Sequence, residues 1–392
     1  MAKIYLDYAA TTPVDPKVLR AMLPYLKKDF GNPSSIHGFG QRALGAIDDA
    51  RKKVADFLGC SPQEIVFTGS ATEADNLAIQ GLIENQKSNL KNQKLHIITT
   101  QIEHHAVLEP CQILEKKGVR VTYLPVDREG LVKVSDIEKA LGPDTLLVSV
   151  MYANNEIGTV QPIAEIGKVL KSQKNKIYFH TDAVQAANYL ECNVEKLGVD
   201  LLSLSAHKIY GPKGVGALYV RKGTPLRPLI FGGGHENGLR SGTENVTGIV
   251  GFGAAVEEIQ NPKIKIQNIK IRQLRDRIIK KVLKLISEAR LNGSLAQRLP
   301  NNINFSFKGA EGEAIVIALD QKGIATSTGS ACSSKSLEPS HVLLALGLSD
   351  IEAHTSLRVS LGRYTTEKEV ETFLKVLPSV VKRLREISGY KL

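Results

Sequence analysis

The stretch Asp200 to Val220, DLLSLSAHKIYGPKGVGALYV, carries an apolar run of strand length straight into Ser205, His207, Lys208 and a glycine-rich turn. A lysine at the lip of a buried strand loses solvation and feels neighbouring cations, so its amine is neutral often enough to attack a carbonyl. Pyridoxal phosphate is the obvious aldehyde for such a lysine, and it makes two further demands. Its ring nitrogen needs a carboxylate, and its phosphate needs a helix N-terminus with small hydroxyls. Both are met upstream. KIYFHTDAVQ, Lys176 to Gln185, reads as a short strand ending in Asp182, with Gln185 just beyond it. EIVFT, Glu64 to Thr68, reads as a strand entering Gly69, Ser70, Ala71 and Thr72, after which EADNLAIQGLI has a helical pattern. Taken singly, Ser70 to Glu73 is a plain capping box, Asp182 a turn former and Lys208 a surface lysine. Taken together, three strand ends each meet a different requirement of one cofactor, and the conjunction favours the cofactor.

The elements that must position these residues are those of an α/β chain. LHIIT, RVTYLPV, LLVSVMYA, IYFHTD, LLSLSA and GALYV recur between helical stretches, the pattern of a mostly parallel sheet with crossover helices. Ligands then collect at the carboxyl ends of the strands. From about Pro262 the pattern changes to a long helix, then NNINFSF, AIVIALD, a Ser/Gly-rich loop, SLRVSLG and a final helix, which predicts a second, smaller α+β domain. Ile271, Leu274, Ile278, Val282 and Leu285 set the buried stripe of the long helix, which the pattern carries on to Asn292-Gly293. Gly232-Gly233-Gly234-His235 lacks the strand-to-helix spacing of a dinucleotide fingerprint and reads as a flexible loop.

Composition narrows the classes. The 392 residues are 42% hydrophobic with 33 glycines, ordinary for a globular protein with room for two cores. No apolar run approaches a membrane span and MAKIYLDYAAT lacks the apolar core of a signal peptide, so the expected location is the cytoplasm, with no membrane partner. Cys60, Cys111, Cys192 and Cys332 lie far apart, without a CxxC pair, so neither a zinc site nor a disulfide framework is expected and no resident metal is assigned. Cys60, Cys111 and Cys192 read as small core residues. Cys332 differs: STGSACSSKSLEP is small and polar with no apolar periodicity, the setting of a thiol on a loop. The net charge of +11 is concentrated, since Lys263 to Arg290 holds ten lysines and arginines against Asp276 and Glu288. Without interleaved aromatics this is a solvated helix face or a docking surface for an acidic protein, and direct nucleic-acid binding is not expected.

Nearly end to end, the chain resembles the NifS/IscS-like cysteine desulfurases of the class V aminotransferase family. The likeness rests on YLDYAATTP (Tyr5 to Pro13), GNPSS (Gly31 to Ser35), GSATEADN (Gly69 to Asn76), EHHAVL (Glu103 to Leu108) and NNEIGTVQPI (Asn154 to Ile163). TDAVQ, SAHKIYGPKG, GGGHENGLRSGTEN, TGSACSSKSLEPSHVL and SLRVSLGRYTT complete it. The resemblance implies the fold type I architecture: a large domain, residues 16–261, with a mostly parallel seven-stranded sheet, and a small α+β domain from residues 1–15 and 262–392. The small domain would carry the cysteine loop, about residues 325–340.

The same resemblance assigns roles. Lys208 would condense with the cofactor and later move protons, and His104 would stack on the ring and shuttle protons, whereas His105 has no counterpart and reads as a surface residue. Asp182 would pair with the ring nitrogen, Gln185 with the ring oxygen, and Asn155 would lie beside the ring and substrate. Ala71, Thr72, Ser205 and His207 would hold the phosphate, with Thr243 reaching it from the other subunit of a homodimer. Arg358 would clamp the carboxylate of L-cysteine. Cys332 would take the sulfur as a persulfide, releasing L-alanine, and the long SACSSKSLEPSH loop argues for cysteine over a selenocysteine-dedicated lyase. The persulfide would pass to an acceptor, an iron–sulfur scaffold or a sulfur relay protein, feeding iron–sulfur clusters, tRNA thiolation or other thio-cofactors. In that exchange Cys332 would meet an iron–sulfur cluster only transiently.

Overall fold

The computed structural model describes residues 3–89, 94–329 and 338–390. Seven strands build the main sheet: Ile65–Thr68, His96–Thr100, Arg120–Leu124, Thr145–Ser149, Tyr178–Asp182, Leu201–Ser205 and Gly216–Val220. With the short strand β1 (Ile4–Tyr5) counted first, these are β2 to β8. Their spatial order is β2-β8-β7-β6-β5-β3-β4. Only β8 runs against the others, antiparallel to both β2 and β7. The sheet is mostly parallel, as the alternating pattern predicts, and β7 and β8 are buried at all five positions. Strands covered on both faces read as continuous apolar runs, which is why LLSLS and GALYV stood out.

Three further strands, β9 (Ala289–Leu291), β10 (Asn302–Phe307) and β12 (Ser356–Ser360), form an antiparallel sheet ordered β12-β10-β9. β1 pairs in parallel with β11 (Ile324–Ala325), and Asp7 bridges to Ser360. The N-terminal residues are therefore bound to strands more than 300 positions away. Leu6 packs with Ile303, Phe305, Leu357 and Phe373 in one core, while a separate core joins the sheet to its helices through Ile98, Phe179, Leu204 and Phe252.

Local signals account for the helix boundaries. Asp15 caps Pro16–Lys27, its Oδ1 accepting from Lys17 N, with proline at the first helical position. Gly59, at φ 70°, ends Gly38–Leu58 in the left-handed conformation that favours glycine. The helical run after β2 is continuous from Ala71, with a π turn at Leu77–Gly81. AIVIALD lies in a helix, Gly312–Asp320.

The long basic helix departs from its sequence pattern. It spans Pro262–Leu285 and stops well short of Asn292-Gly293, because the chain must turn at Ile286 to enter β9. Ile271, Leu274, Ile278 and Val282 are buried as expected, but Leu285 is 57% exposed and Ile279 takes the stripe instead. Its cations are not all free: Arg275 is buried and donates to the Leu299 carbonyl, and Arg277 pairs with Glu371. The glycine-rich loop at 232–234 is exposed, but it leads into a buried anchor, Glu236, which takes Arg51 in a bidentate pair and also accepts from Phe67 N. Among the described residues no helix is long and apolar enough to cross a membrane, and no group of three or more His, Cys, Asp or Glu could hold a metal ion.

Candidate active site

The carboxyl ends of β2, β3, β5, β6 and β7 converge on a cleft with a cavity of about 180 Å³ that opens to solvent. Each strand end contributes a different group. β7 ends at Ser205, and one tight turn later Lys208 enters the cleft, where its Nζ donates to the carbonyls of Ala9 (2.6 Å) and Ala10 (2.8 Å). β6 ends at Asp182, 7% exposed, whose Oδ1 accepts from Val184 N at 2.9 Å. Burial, with the nearby Asp75 carboxylate adding to it, pushes the Asp182 carboxyl up to about 7. A cationic ring nitrogen in the cleft would remove that penalty, since an opposite charge favours the ionised acid.

The turn after β2 puts Ser70, Ala71 and Thr72 on the cleft wall. Ser70 Oγ accepts from Glu73 N, and Glu73 in turn accepts from Gly69 N and from Arg240 Nε. The capping box read from sequence is thus half formed, with the Glu73 carboxylate one residue off its expected partner. The turn sits against β8 only because position 216 is glycine: a Cβ there would lie 2.5 Å from the Ser70 carbonyl carbon. Ser205 and His207 line the same end of the cleft. His207 Nδ1 lies 3.1 Å from Thr11 Oγ1, and burial, with Lys208 and Lys213 nearby, lowers its imidazole to about 4.

His104 follows β3 and caps the helix His105–Lys116, its Nδ1 accepting from Ala106 N at 3.1 Å. With that lone pair engaged, the proton of the neutral ring resides on Nε2. Burial first, then Lys208, His105 and His341, lowers His104 to about 4, so the ring is neutral near pH 7. His105 is not a bare surface residue: its ring packs edge-on against His341 at 4.9 Å. Gln185 Nε2 donates to the Ala9 carbonyl, the same oxygen that holds Lys208. Asn155 lines the cleft, and its carbonyl accepts from Arg358 Nη1 at 3.1 Å. Arg358, on β12, is 1% exposed yet reaches the cleft.

The chain thus brings Lys208, Asp182, Gln185, Asn155, His104, Ala71, Thr72, Ser205, His207 and Arg358 around one cavity. Thr243 is exposed and does not line it. Cys332 lies outside the described residues. Cys111 and Cys192 are buried as expected, and Cys60 is half-buried, with burial holding all three thiols up at about 12.

Sequence reasoning missed several contributors. Ala9 and Ala10 supply the carbonyls for Lys208, and Asp7 pairs with Arg358. Asp75, 1% exposed, lines the cleft with its Oδ1 3.4 Å from His180 Nε2. Glu103, fully buried, accepts from Thr100 Oγ1 and Met151 N and is pushed up to about 8. All lie inside motifs already singled out, YLDYAATTP, GSATEADN and EHHAVL, but motif membership carries no signal of which side chain turns inward. The donor set fits pyridoxal phosphate. A buried acid stands where a ring nitrogen needs one, a lysine amine shares the cavity, and hydroxyls and a glycine-cleared helix start form a cradle at one end.

The comparisons with known proteins agree with this geometry. Residues 4–373 match the family model described as aminotransferase class-V. A cysteine desulfurase IscS from Dictyoglomus turgidum is 54% identical over 390 residues, covering 99% of this chain and 97% of the relative. Among solved structures, a NifS-like protein superposes with a TM-score of 0.88 at 41% identity, covering 99% of this chain and 100% of its own. A structure described as SspA in complex with cysteine gives 0.80 at 42% identity, covering 93% and 100%. The chain belongs to the class-V aminotransferase family, among its NifS/IscS-like cysteine desulfurases, with the fold type I architecture and the dependence on pyridoxal phosphate that go with it.

Proposed function

We propose that this cleft removes the sulfur of L-cysteine, releases L-alanine and leaves the sulfur as a persulfide on Cys332. The observation that carries the reading is the meeting of Lys208, Asp182, His104 and Arg358 around one cavity, contributed by two different sheets. Bound pyridoxal phosphate supplies a carbonyl that condenses with amines and a protonated ring that draws electrons from the adjoining carbon. Asp182 would keep the ring nitrogen protonated, Gln185 would offer its amide to the ring oxygen, and the Ser70–Thr72 turn with Ser205 and His207 would hold the phosphate. His104 would face the ring, and with its Nδ1 engaged by Ala106 N its Nε2–H would be the proton it offers. Lys208 Nζ, when not joined to the cofactor, rests on the Ala9 and Ala10 carbonyls and from there can take and return the proton at the substrate α carbon.

Arg358 and Asn155 orient the substrate, the guanidinium receiving its carboxylate. The carbon–sulfur bond then breaks, a sulfur–sulfur bond forms to Cys332, and the hydrogens lost from the thiols end on alanine and on the persulfide. No external oxidant or reductant enters this balance. The division of labour follows the chain, with residues 16–261 as the cofactor-binding domain and residues 1–15 with 262–392 as the smaller domain that carries Arg358 and Cys332.

A homodimer completes the site. Thr243, exposed and outside its own cleft, is free to reach the phosphate of a second subunit. Phe30, Ile36, Phe39 and Phe231, at 69, 95, 47 and 72% exposure, provide apolar surface for such a partner. The persulfide passes to an acceptor protein of iron–sulfur or thio-cofactor assembly, in the cytoplasm. The test is the visible spectrum of the purified protein before and after L-cysteine, with alanine and sulfide measured for wild type and Cys332→Ser. A cofactor band that responds to cysteine in both, with alanine formation lost only in the variant, is expected. Undiminished alanine formation in Cys332→Ser would refute the persulfide step.

A further inference from the structure

The reaction needs an arginine to receive a carboxylate, but Arg358 already has one. Its Nη2 donates to Asp7 Oδ1 at 2.9 Å and its Nη1 to the Asn155 carbonyl at 3.1 Å, while Nε is buried without a partner. The side chains of Arg358 and Asp7 are 1% and 16% exposed, so the pair is shielded from bulk water. Asp7 is not there by accident of a loop: its backbone bridges to Ser360, two residues beyond Arg358 on the same strand, and Tyr5 Oη donates to its carbonyl. Two residues on, the same N-terminal segment offers the Ala9 carbonyl to Lys208.

We infer that Asp7 is a positioning residue for carboxylate recognition: it fixes the Arg358 guanidinium and neutralises it, so that the cleft binds amino-acid carboxylates weakly and releases the product readily. This rests on the reading of Arg358 as the carboxylate clamp. A buried guanidinium without a counter-ion would be an uncompensated charge and would capture any small anion. With Asp7 paired to it, an incoming carboxylate meets a net-neutral pair and must be held by directed hydrogen bonds, aided by the ammonium end of an amino acid. Asp7 touches neither substrate nor cofactor in this account, and it acts through Arg358.

The isosteric Asp7→Asn keeps an oxygen for Nη2 and removes only the charge. Like charges a few ångströms apart in a partly buried site oppose each other strongly, so the variant should bind carboxylates about 10- to 100-fold more tightly. Absorbance titration of the cofactor-loaded enzyme with L-alanine reads this directly, and cysteamine, an amine and thiol without a carboxylate, is the control. Tighter L-alanine binding with unchanged cysteamine binding is the expected result. Unchanged or weaker L-alanine binding, or an equal change for both ligands, overturns the proposal. Arg358→Gln separates the two readings, since it should weaken L-alanine alone, and if it spares both ligands the clamp assignment itself fails. Should Asp7→Asn not fold, the wild type still decides. Acetate on the order of 0.1 M should leave its affinity for L-alanine unchanged beyond ordinary screening, and competition by acetate would overturn the neutral-pair account.

Discussion

Replacing Asp182 by asparagine separates what this carboxylate costs the protein from what it does for the cofactor. The acid is raised from 3.8 to about 7, by burial first and by Asp75 second. Well below its ordinary value, at about pH 3 or lower, the folded and unfolded chains both carry it protonated and it costs nothing. As pH rises, the unfolded chain ionises first, so stability is lost at about 1.4 kcal/mol per pH unit until the folded-state value is reached. Over the interval from 3.8 to about 7 this amounts to about 4 kcal/mol. Cofactor-free Asp182→Asn should therefore be more stable than cofactor-free wild type at about pH 8, by up to about 4 kcal/mol, and the advantage should vanish at about pH 3. Cofactor affinity must move the other way. Losing a hydrogen bond to a charged partner costs about 1.5–3 kcal/mol, a weakening of roughly 10- to 150-fold. Thermal unfolding of the cofactor-free proteins across this pH range, with equilibrium dialysis against pyridoxal phosphate, reads both. A variant destabilised at about pH 8, or a stability difference that ignores pH, would refute the argument that burial rather than structure sets the cost.

Two other consequences concern neighbouring groups. His104, lowered to about 4, stays neutral down to that pH. Hence kcat should show no acid limb near 6.5 from this ring, and His104→Gln should reduce kcat by about 10²- to 10⁴-fold without moving the remaining limbs. For the shared site, mixing inactive Lys208→Ala with Thr243→Ala subunits should restore activity, because one site of the mixed dimer then has both groups intact. Failure to restore it, where each variant alone is impaired and subunits are shown to exchange, would place Thr243 outside the partner's cleft.

Much of the fold was legible in the chain because strands covered on both faces must be apolar along their whole length. EIVFT, LHIIT, IYFHTD, LLSLS and GALYV therefore announced themselves, and Thr68, Asp182 and Ser205, which close three of these runs, marked where a ligand would collect. That Lys208 and Asp182 share one cleft was readable from the chain, since both stand at the ends of apolar runs and ligands collect at such strand ends. The end of the basic helix was not legible. Its periodicity continues through Leu285, and only the requirement that β9 pair with β10 forces the turn at Ile286.

What the sequence by itself determined was the cofactor, and it marked the residues proposed to answer its ring and phosphate, because those demands are local: one group, one strand end. The tertiary structure alone decided the partners of those residues. Asp7 meets Arg358 across 351 positions, and the Ala9 carbonyl meets Lys208 across 199. Such contacts depend on the strap from β1 crossing between two sheets, and no spacing along the chain encodes them. The same holds for Asp75 and Glu103, whose carboxyls are held above their ordinary range by burial, a property of the packed interior rather than of the residue or its neighbours in sequence.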